Sequence, residues 1–109
     1  EAFAAADKAG VDRQNLYNAM SAGPLHSSMM DFISAYALEG DKTKLAFTIR
    51  NARKDVGYYS RMIDDLGVPS ILSVGAKQAL GIATAEGHGD RMVPELVDFF
   101  TGLFGTKTG

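Results

Sequence analysis

The sequence predicts an all-α domain, and three observations support this expectation. Apolar residues recur at intervals of three and four, glycines and prolines divide the chain into segments of helical length, and no segment alternates as a strand would. The chain has 109 residues, of which 46% are hydrophobic and 22% charged, as in an ordinary globular domain. We therefore expect a compact bundle of about six helices around a long central helix.

Capping residues delimit the first three predicted helices. The first runs from Glu1 through Lys8 and ends at Gly10, which suits a left-handed C-cap. Asp12 is expected to cap the second helix, which stops at Gly23, and Ser27 or Ser28 the third. The predicted inward-facing residues are Leu16, Tyr17 and Met20 in the second helix, and Met29, Phe32, Ile33 and Tyr36 in the third.

The fourth predicted helix has the most regular pattern. Its apolar residues advance by threes and fours over about six turns, which predicts one continuous buried stripe. Gly67 ends this helix and Pro69 prevents its continuation. The stripe consists of Leu45, Ile49, Ala52, Val56, Tyr59, Ile63 and Leu66.

Two further helices follow. Ser70 is expected to cap the fifth, in which Gly75 and Gly81 would let another helix approach and so place this helix at the centre. Pro94 suits the first turn of the sixth. The predicted inward-facing residues are Leu72, Ala76, Leu80 and Ala83 in the fifth helix, and Leu96, Val97, Phe100 and Leu103 in the sixth.

Composition excludes several classes of function. A net charge of −2 without a basic cluster argues against nucleic acid, and no apolar run reaches the roughly 18 residues that span a membrane. The chain has no cysteine, no signal-peptide pattern, no phosphate loop, no nucleophile elbow and no metal-ligand cluster. We expect a cytoplasmic protein, with the mitochondrial matrix left open, and assign no metal site.

Few residues suggest chemistry by themselves. His26 and His88 lie in glycine-containing loops and could act as general bases, but no carboxylate partner is evident and a solvated or locally hydrogen-bonded role is favoured. The carboxylate pairs Asp64-Asp65 and Glu39/Asp41 read as solvated surface, since adjacent helical residues do not face one another.

The fourth helix carries a mixed polar face opposite its apolar stripe. Phe47, Asn51, Lys54 and Tyr58 advance by four, three and four, and Asp55 lies one position round from Lys54. This face combines an aromatic ring, an amide, a cation and a phenol, and it could bind a polar ligand or be exposed to solvent. Composition alone favours an ordinary exposed face.

The segment 47–56, Phe-Thr-Ile-Arg-Asn-Ala-Arg-Lys-Asp-Val, resembles the Phe…Lys-Asp signature of the β-hydroxyacid dehydrogenases. That family includes 3-hydroxyisobutyrate dehydrogenase, tartronate semialdehyde reductase and glyoxylate/succinic semialdehyde reductase, with 6-phosphogluconate dehydrogenase more distant. Further segments resemble the family in the same order, namely 1–2 with 8–12, 21–28, 38–41, 66–69 and 87–90.

The resemblance implies the fold of the 6-phosphogluconate dehydrogenase C-terminal domain, and hydride transfer between NAD or NADP and a small 3-hydroxy acid or semialdehyde. It implies that residues 1–109 form one helical substrate and dimerisation domain, and that a separate Rossmann domain binds the dinucleotide. The acid/base lysine would precede Glu1. Because the chain begins in helix-forming residues without a cap, we expect a fragment. Without the Rossmann domain and the lysine, the fragment should be inactive alone. It should associate with itself, because the relatives are commonly oligomers and a severed domain exposes apolar surface.

By the same resemblance, Lys54 binds the cofactor near its nicotinamide end, and Phe47 and Asp55 line the substrate pocket. The segment 23–29 lacks the aromatic residue that many relatives carry there, which leaves the substrate and a specificity role for His26 open. The alternative is a stand-alone helical protein–protein interaction module whose Lys-Asp helix contacts a protein partner. The upstream sequence would discriminate between the two.

Overall fold

The predicted all-α class is confirmed. The computed structural model describes residues 1–105, which contain six α-helices and no β-sheet. The helices are α1 (Ala2–Ala9), α2 (Arg13–Ser21), α3 (Ser28–Glu39), α4 (Ile49–Asp65), α5 (Ser73–Ala83) and α6 (Leu96–Phe104). Within the described range, no helix is both long and apolar enough to cross a bilayer.

The contacts divide the chain into two units. Within the described residues, the first unit comprises residues 1–46 and 92–105, and so contains α1, α2, α3 and α6. The second unit, residues 47–91, contains α4 and α5.

Most of the predicted caps are confirmed. Gly10 has a φ of 77° and Gly67 a φ of 72°, the left-handed conformation that glycine adopts without strain. The Asp12 carboxylate accepts a 2.8 Å hydrogen bond from the Gln14 amide at the start of α2. Ser27 caps α3 by accepting from the Met30 amide at 3.1 Å.

The first unit combines a small apolar core with a polar network. Phe3, Ala37 and Val97 are buried together, and partly buried side chains of α2 and α3 pack against them. The Arg13 guanidinium donates to the Asp7 carboxylate at 2.6 Å and to the Ala37 carbonyl oxygen at 2.8 Å. These bonds tie the start of α2 to both neighbouring helices.

Asp98 on α6 extends this network. It accepts from Arg13 at 3.1 Å and from the Tyr36 hydroxyl at 2.6 Å, and the second bond raises the pKa of Tyr36 to about 12. Thr101, one turn further along α6, donates to Asp7 at 2.7 Å. Four elements of the first unit are thereby linked through charged groups.

The predicted apolar stripe of the long helix is correct only in part. Ile49, Ala52 and Ile63 are buried, but Tyr59 is 49% exposed and Leu66 70% exposed. Successive side chains on a helix are about 100° apart around the axis. Positions 49, 52, 56, 60 and 63 therefore share one narrow face of α4, and position 59 lies just outside that face. Ser60, which is 5% exposed, takes the buried place that Tyr59 was predicted to hold. Leu45 precedes the helix, which begins at Ile49.

The predicted start of α5 is wrong, and its N-terminal half does not lie at the centre of a bundle as predicted. The helix begins at Ser73, so Ser70 does not cap it, and Leu72 is 87% exposed. Ala76 is also exposed, and a Cβ on Gly75 would meet nothing within 4 Å, so no helix approaches there. Leu80 and Ala83 are buried as predicted.

Three smaller corrections concern helix ends. Met29 in the first turn of α3 and Leu103 in the last turn of α6 are more than half exposed, because terminal turns have packing neighbours on fewer sides. Pro94 is fully buried in a separate 3₁₀ turn, Val93–Glu95, rather than in α6 itself.

Candidate functional site

The N-terminus of α4 is held by a turn within the second unit. Thr48 caps the helix with its side-chain oxygen. The Ile49 and Arg50 amides donate to the carbonyl oxygens of Arg91 and Gly89, each at 2.9 Å. These bonds satisfy amides that a helix start leaves without intrahelical partners. The first turn of α4 is therefore fixed within its unit.

A basic groove runs along one side of α4. Its volume is about 490 Å³, within the usual range for small-molecule sites. On α4 its residues advance by three, one, three, one and three, which keeps them on one face of the helix. The basic groove is lined by Arg50, Arg53, Lys54, Gly57, Tyr58, Arg61 and Lys77, the last from α5.

Positive charge is concentrated in this groove. The second unit has six basic and five acidic residues. Five of the basic residues line the groove, and none of the acidic residues does. A groove lined by several cations and by no carboxylate attracts anions.

The groove cations differ in their partners. Arg50 forms an ion pair with Asp90, both largely exposed. The Arg61 guanidinium carbon lies 5.1 Å from the centroid of the Tyr58 ring, a cation–π contact. Within residues 1–105, no ion pair engages Arg53, Lys54 or Lys77. Those three charges are available to a ligand.

Gly57 lies in the middle of the basic face. A Cβ there would meet nothing within 4 Å, so the glycine is not required by any neighbouring group of the unit. Its missing side chain leaves the backbone of α4 open at the centre of the groove. Glycine inside a helix costs about 1 kcal/mol relative to alanine, so this opening reduces stability.

The three residues assigned to ligands occupy different positions. Lys54 is exposed and lines the basic groove. Asp55 is exposed and lies outside the lining. Phe47 is half-buried and precedes α4 by two residues, so the prediction that it shares a helical face with Asn51 and Lys54 is wrong. The Phe47 side chain is placed by the segment before the cap, where helical periodicity does not apply.

The first unit has a smaller depression of about 270 Å³ lined in part by Tyr17, Asp31 and Ser34. Asp31 accepts a 2.9 Å hydrogen bond from the Tyr17 hydroxyl and lies 2.9 Å from His26 Nε2. These two contacts, that from Tyr17 first, lower the pKa of Asp31. The expectation that His26 lacks a carboxylate partner is therefore wrong, whereas its locally hydrogen-bonded role is confirmed.

The groove residues are suited to binding a ligand. Along the described part of the chain, no three His, Asp or Glu side chains gather as metal ligands would. The groove instead offers ammonium and guanidinium donors beside an aromatic ring, a set that suits phosphate and carboxylate groups. The fold and the groove together define a helical domain suited to small anionic ligands.

Comparison with known families narrows this class. A family model described as NAD-binding of NADP-dependent 3-hydroxyisobutyrate dehydrogenase matches residues 1–100. The chain belongs to this family, and the nicotinamide dinucleotides NAD and NADP are the cofactors that the family implies. A search of curated proteins found no match. The resemblance seen at 47–56 thus led to the correct family.

Sequence reasoning placed Lys54 and Tyr58 on a polar face but missed the other five groove residues, which are Arg50, Arg53, Gly57, Arg61 and Lys77. The four on α4 could have been found, because 50, 53, 54, 57, 58 and 61 form a helical stripe of the same kind as the apolar one. Lys77 carries no such signal, since only the packing of α5 on α4 brings it to the groove.

Proposed function

We propose that this chain is the helical part of an NAD(P)-dependent dehydrogenase that transfers a hydride between a nicotinamide cofactor and a small 3-hydroxy acid or semialdehyde. The family match over residues 1–100 supports the class of reaction. Under this proposal residues 1–109 form the substrate-side, C-terminal domain, a separate Rossmann domain holds most of the dinucleotide, and the acid/base lysine belongs to that other part of the enzyme. The chain alone then binds but does not catalyse.

Lys54 is the proposed cofactor-binding residue. One observation supports this assignment: the Lys54 ammonium is exposed in a groove that no carboxylate lines, and within residues 1–105 no ion pair engages it. A dinucleotide offers phosphate, hydroxyl and carboxamide oxygens, all of which accept hydrogen bonds from an ammonium. The nicotinamide ring, when bound, supplies the hydride acceptor or donor. Lys54 positions the cofactor and takes no part in proton transfer.

Phe47 and Asp55 are the proposed substrate-side residues. An aromatic side chain next to the reacting carbon excludes water from the hydride path. A carboxylate can accept a hydrogen bond from a substrate hydroxyl and so orient it. These roles follow the family signature, in which the two residues flank the lysine that binds the cofactor.

The test is Lys54→Ala in the parent enzyme. We expect KM for the cofactor to rise or turnover to fall by about tenfold or more, because a charge-assisted hydrogen bond is lost. The helical circular dichroism spectrum should not change, since Lys54 is exposed. In the same assay, the isolated chain should not oxidise NADPH.

Lys44→Ala is the matched control, because it also removes an exposed lysine but lies outside the basic groove. It should leave KM and turnover unchanged. If Lys54→Ala has normal KM and turnover, or if both variants lose activity equally, Lys54 is an ordinary surface charge without a role in cofactor binding.

Self-association accompanies this function in the proposal. Leu66, Ile71 and Leu72 are 70%, 78% and 87% exposed within the second unit, and a second copy of the chain would remove such residues from water. The same exposed residues favour the alternative of a stand-alone interaction module. Sedimentation velocity should detect dimers that Ile71→Lys and Leu72→Lys weaken. A monomer at all concentrations would contradict the proposal.

A further inference from the structure

The basic groove holds more positive charge than a single cofactor contact requires. Arg50 is neutralised by Asp90, which leaves Arg53, Lys54, Arg61 and Lys77 around one open volume. One of these cations suffices for a monocarboxylate. Four cations around one volume attract a multiply charged anion more strongly than a singly charged one.

We propose that the basic groove binds a phosphate group of a small ligand, with Arg53, Arg61 and Lys77 as its ligands beside Lys54. This inference rests on the proposed function, because the phosphate would belong either to a phosphorylated hydroxy-acid substrate or to the dinucleotide. It extends the ligand set to three residues that are not the Phe, Lys or Asp of the family signature.

The number of donors favours phosphate over a lone carboxylate. A guanidinium presents a planar fork that binds two oxygens of either anion at once, and two of these three residues are arginines. A carboxylate has only two oxygens to share among the three residues. The three oxygens of a phosphate monoester, which carries nearly two negative charges at neutral pH, can accept from all of them.

Two features prepare the groove for such a ligand. Tyr58 holds the Arg61 guanidinium by the cation–π contact of 5.1 Å, so less side-chain entropy is lost when a ligand binds. Gly57 leaves the centre of the groove without a side chain, so an anion can lie close to the helix.

The dimensions favour a small molecule over a nucleic acid. The cations are confined to about 490 Å³, and the second unit as a whole has almost as many acidic as basic residues. A polynucleotide requires an extended basic surface.

The test is titration of the chain with inorganic phosphate and pyrophosphate at low salt, followed by amide shifts in ¹⁵N–¹H spectra. We expect saturable binding with shifts in α4 and α5. Arg61→Gln and Lys77→Gln should each weaken pyrophosphate binding about tenfold, as expected for a lost charge-assisted hydrogen bond.

Lys44→Gln removes one exposed positive charge elsewhere and should weaken binding less than about twofold, through screened long-range attraction alone. Unchanged circular dichroism shows that each variant is folded. No saturable binding by the wild type, or an equal loss in Lys44→Gln, overturns the inference.

Two further titrations identify the source of the phosphate. If the chain binds NADP, Arg61→Gln weakens that binding and 3-phosphoglycerate does not bind, the groove binds the dinucleotide. If 3-phosphoglycerate binds, Arg61→Gln weakens that binding and NADP does not bind, the groove binds a phosphorylated substrate. These titrations require no dehydrogenase activity. If the chain does not bind phosphate but Lys54→Ala impairs the enzyme, only this inference is overturned. If the chain binds phosphate but the Lys54→Ala enzyme has normal kinetics, only the proposed function is overturned.

Discussion

The two units of the molecule use their charged residues differently. In the first unit, Arg13 lies among Asp7, Asp98 and a backbone carbonyl, and its side chain is 25% exposed. In the second unit, five basic residues and no acidic residue line an open groove, and Arg50 is the one of the five that an ion pair engages within residues 1–105.

This contrast separates structural charges from functional ones. A guanidinium with partners on several helices stabilises the fold, because removing Arg13 takes away two donors, Nε and Nη2, from the partly buried Asp7 carboxylate. A cation without such a partner contributes no ion pair to the fold, and its charge remains available to a ligand. The molecule thus concentrates polar stabilisation in the first unit and binding capacity in the second.

The largest expected effect tests this contrast with one substitution at two places. Arg13→Gln should lower the free energy of unfolding by about 2 kcal/mol, because several charge-assisted hydrogen bonds are lost. Arg50→Gln breaks a pair whose side chains are 61% and 84% exposed, and it should change stability by less than about 0.5 kcal/mol. Urea denaturation of both variants measures the difference.

Equal losses in the two variants would show that the polar network of the first unit contributes no more than a surface ion pair. A double variant, Arg13→Gln with Asp98→Asn, refines the result. Because the two residues are hydrogen-bonded, their effects should not be additive.

Local chemistry explains what the sequence could predict. The caps at Gly10, Asp12, Ser27 and Gly67 depend only on a residue and its near neighbours, and all four are found. The Phe…Lys-Asp signature was equally local, since it occupies ten consecutive residues.

What the sequence could not predict depends on packing between distant segments. Tyr59 continues the apolar pattern of the long helix, yet Ser60 is buried in its place, because the packed arc on α4 is narrower than the pattern suggested. Lys77 joins the groove only through the contact of α5 with α4. The Arg13 network spans 85 residues of sequence to Asp98 and has no periodic signal.

A smaller effect concerns pH and the same network. The hydrogen bond from Arg13, with a further one from Thr101, lowers the pKa of Asp7 below its usual 3.8. A lowered pKa in the folded state means that the ionised carboxylate contributes stability above pH 3.8, and that this contribution is lost as the pH falls through the folded-state pKa. The advantage of wild type over Asp7→Asn in unfolding free energy should therefore shrink in acid.

Urea denaturation of the wild type and Asp7→Asn at neutral and at acid pH measures this change. If the difference in unfolding free energy between the two proteins stays constant over that range, Asp7 does not couple proton binding to folding, and the polar network of the first unit does not depend on its charge.

The smallest expected effect lies in the groove itself and has the opposite sign. Gly57 is inside α4, lacks a positive φ, and a Cβ there would meet nothing within 4 Å. Gly57→Ala should therefore raise the free energy of unfolding by about 0.5–1 kcal/mol, since alanine restricts the unfolded chain and favours the helix. The matched control is Gly67→Ala, which should lower stability by about 1 kcal/mol because φ is 72° there. Thermal melting measures both. If Gly57→Ala is less stable than the wild type, the glycine is needed for packing in the second unit. If the variant is more stable but binds pyrophosphate more weakly, the glycine lowers stability and favours ligand binding.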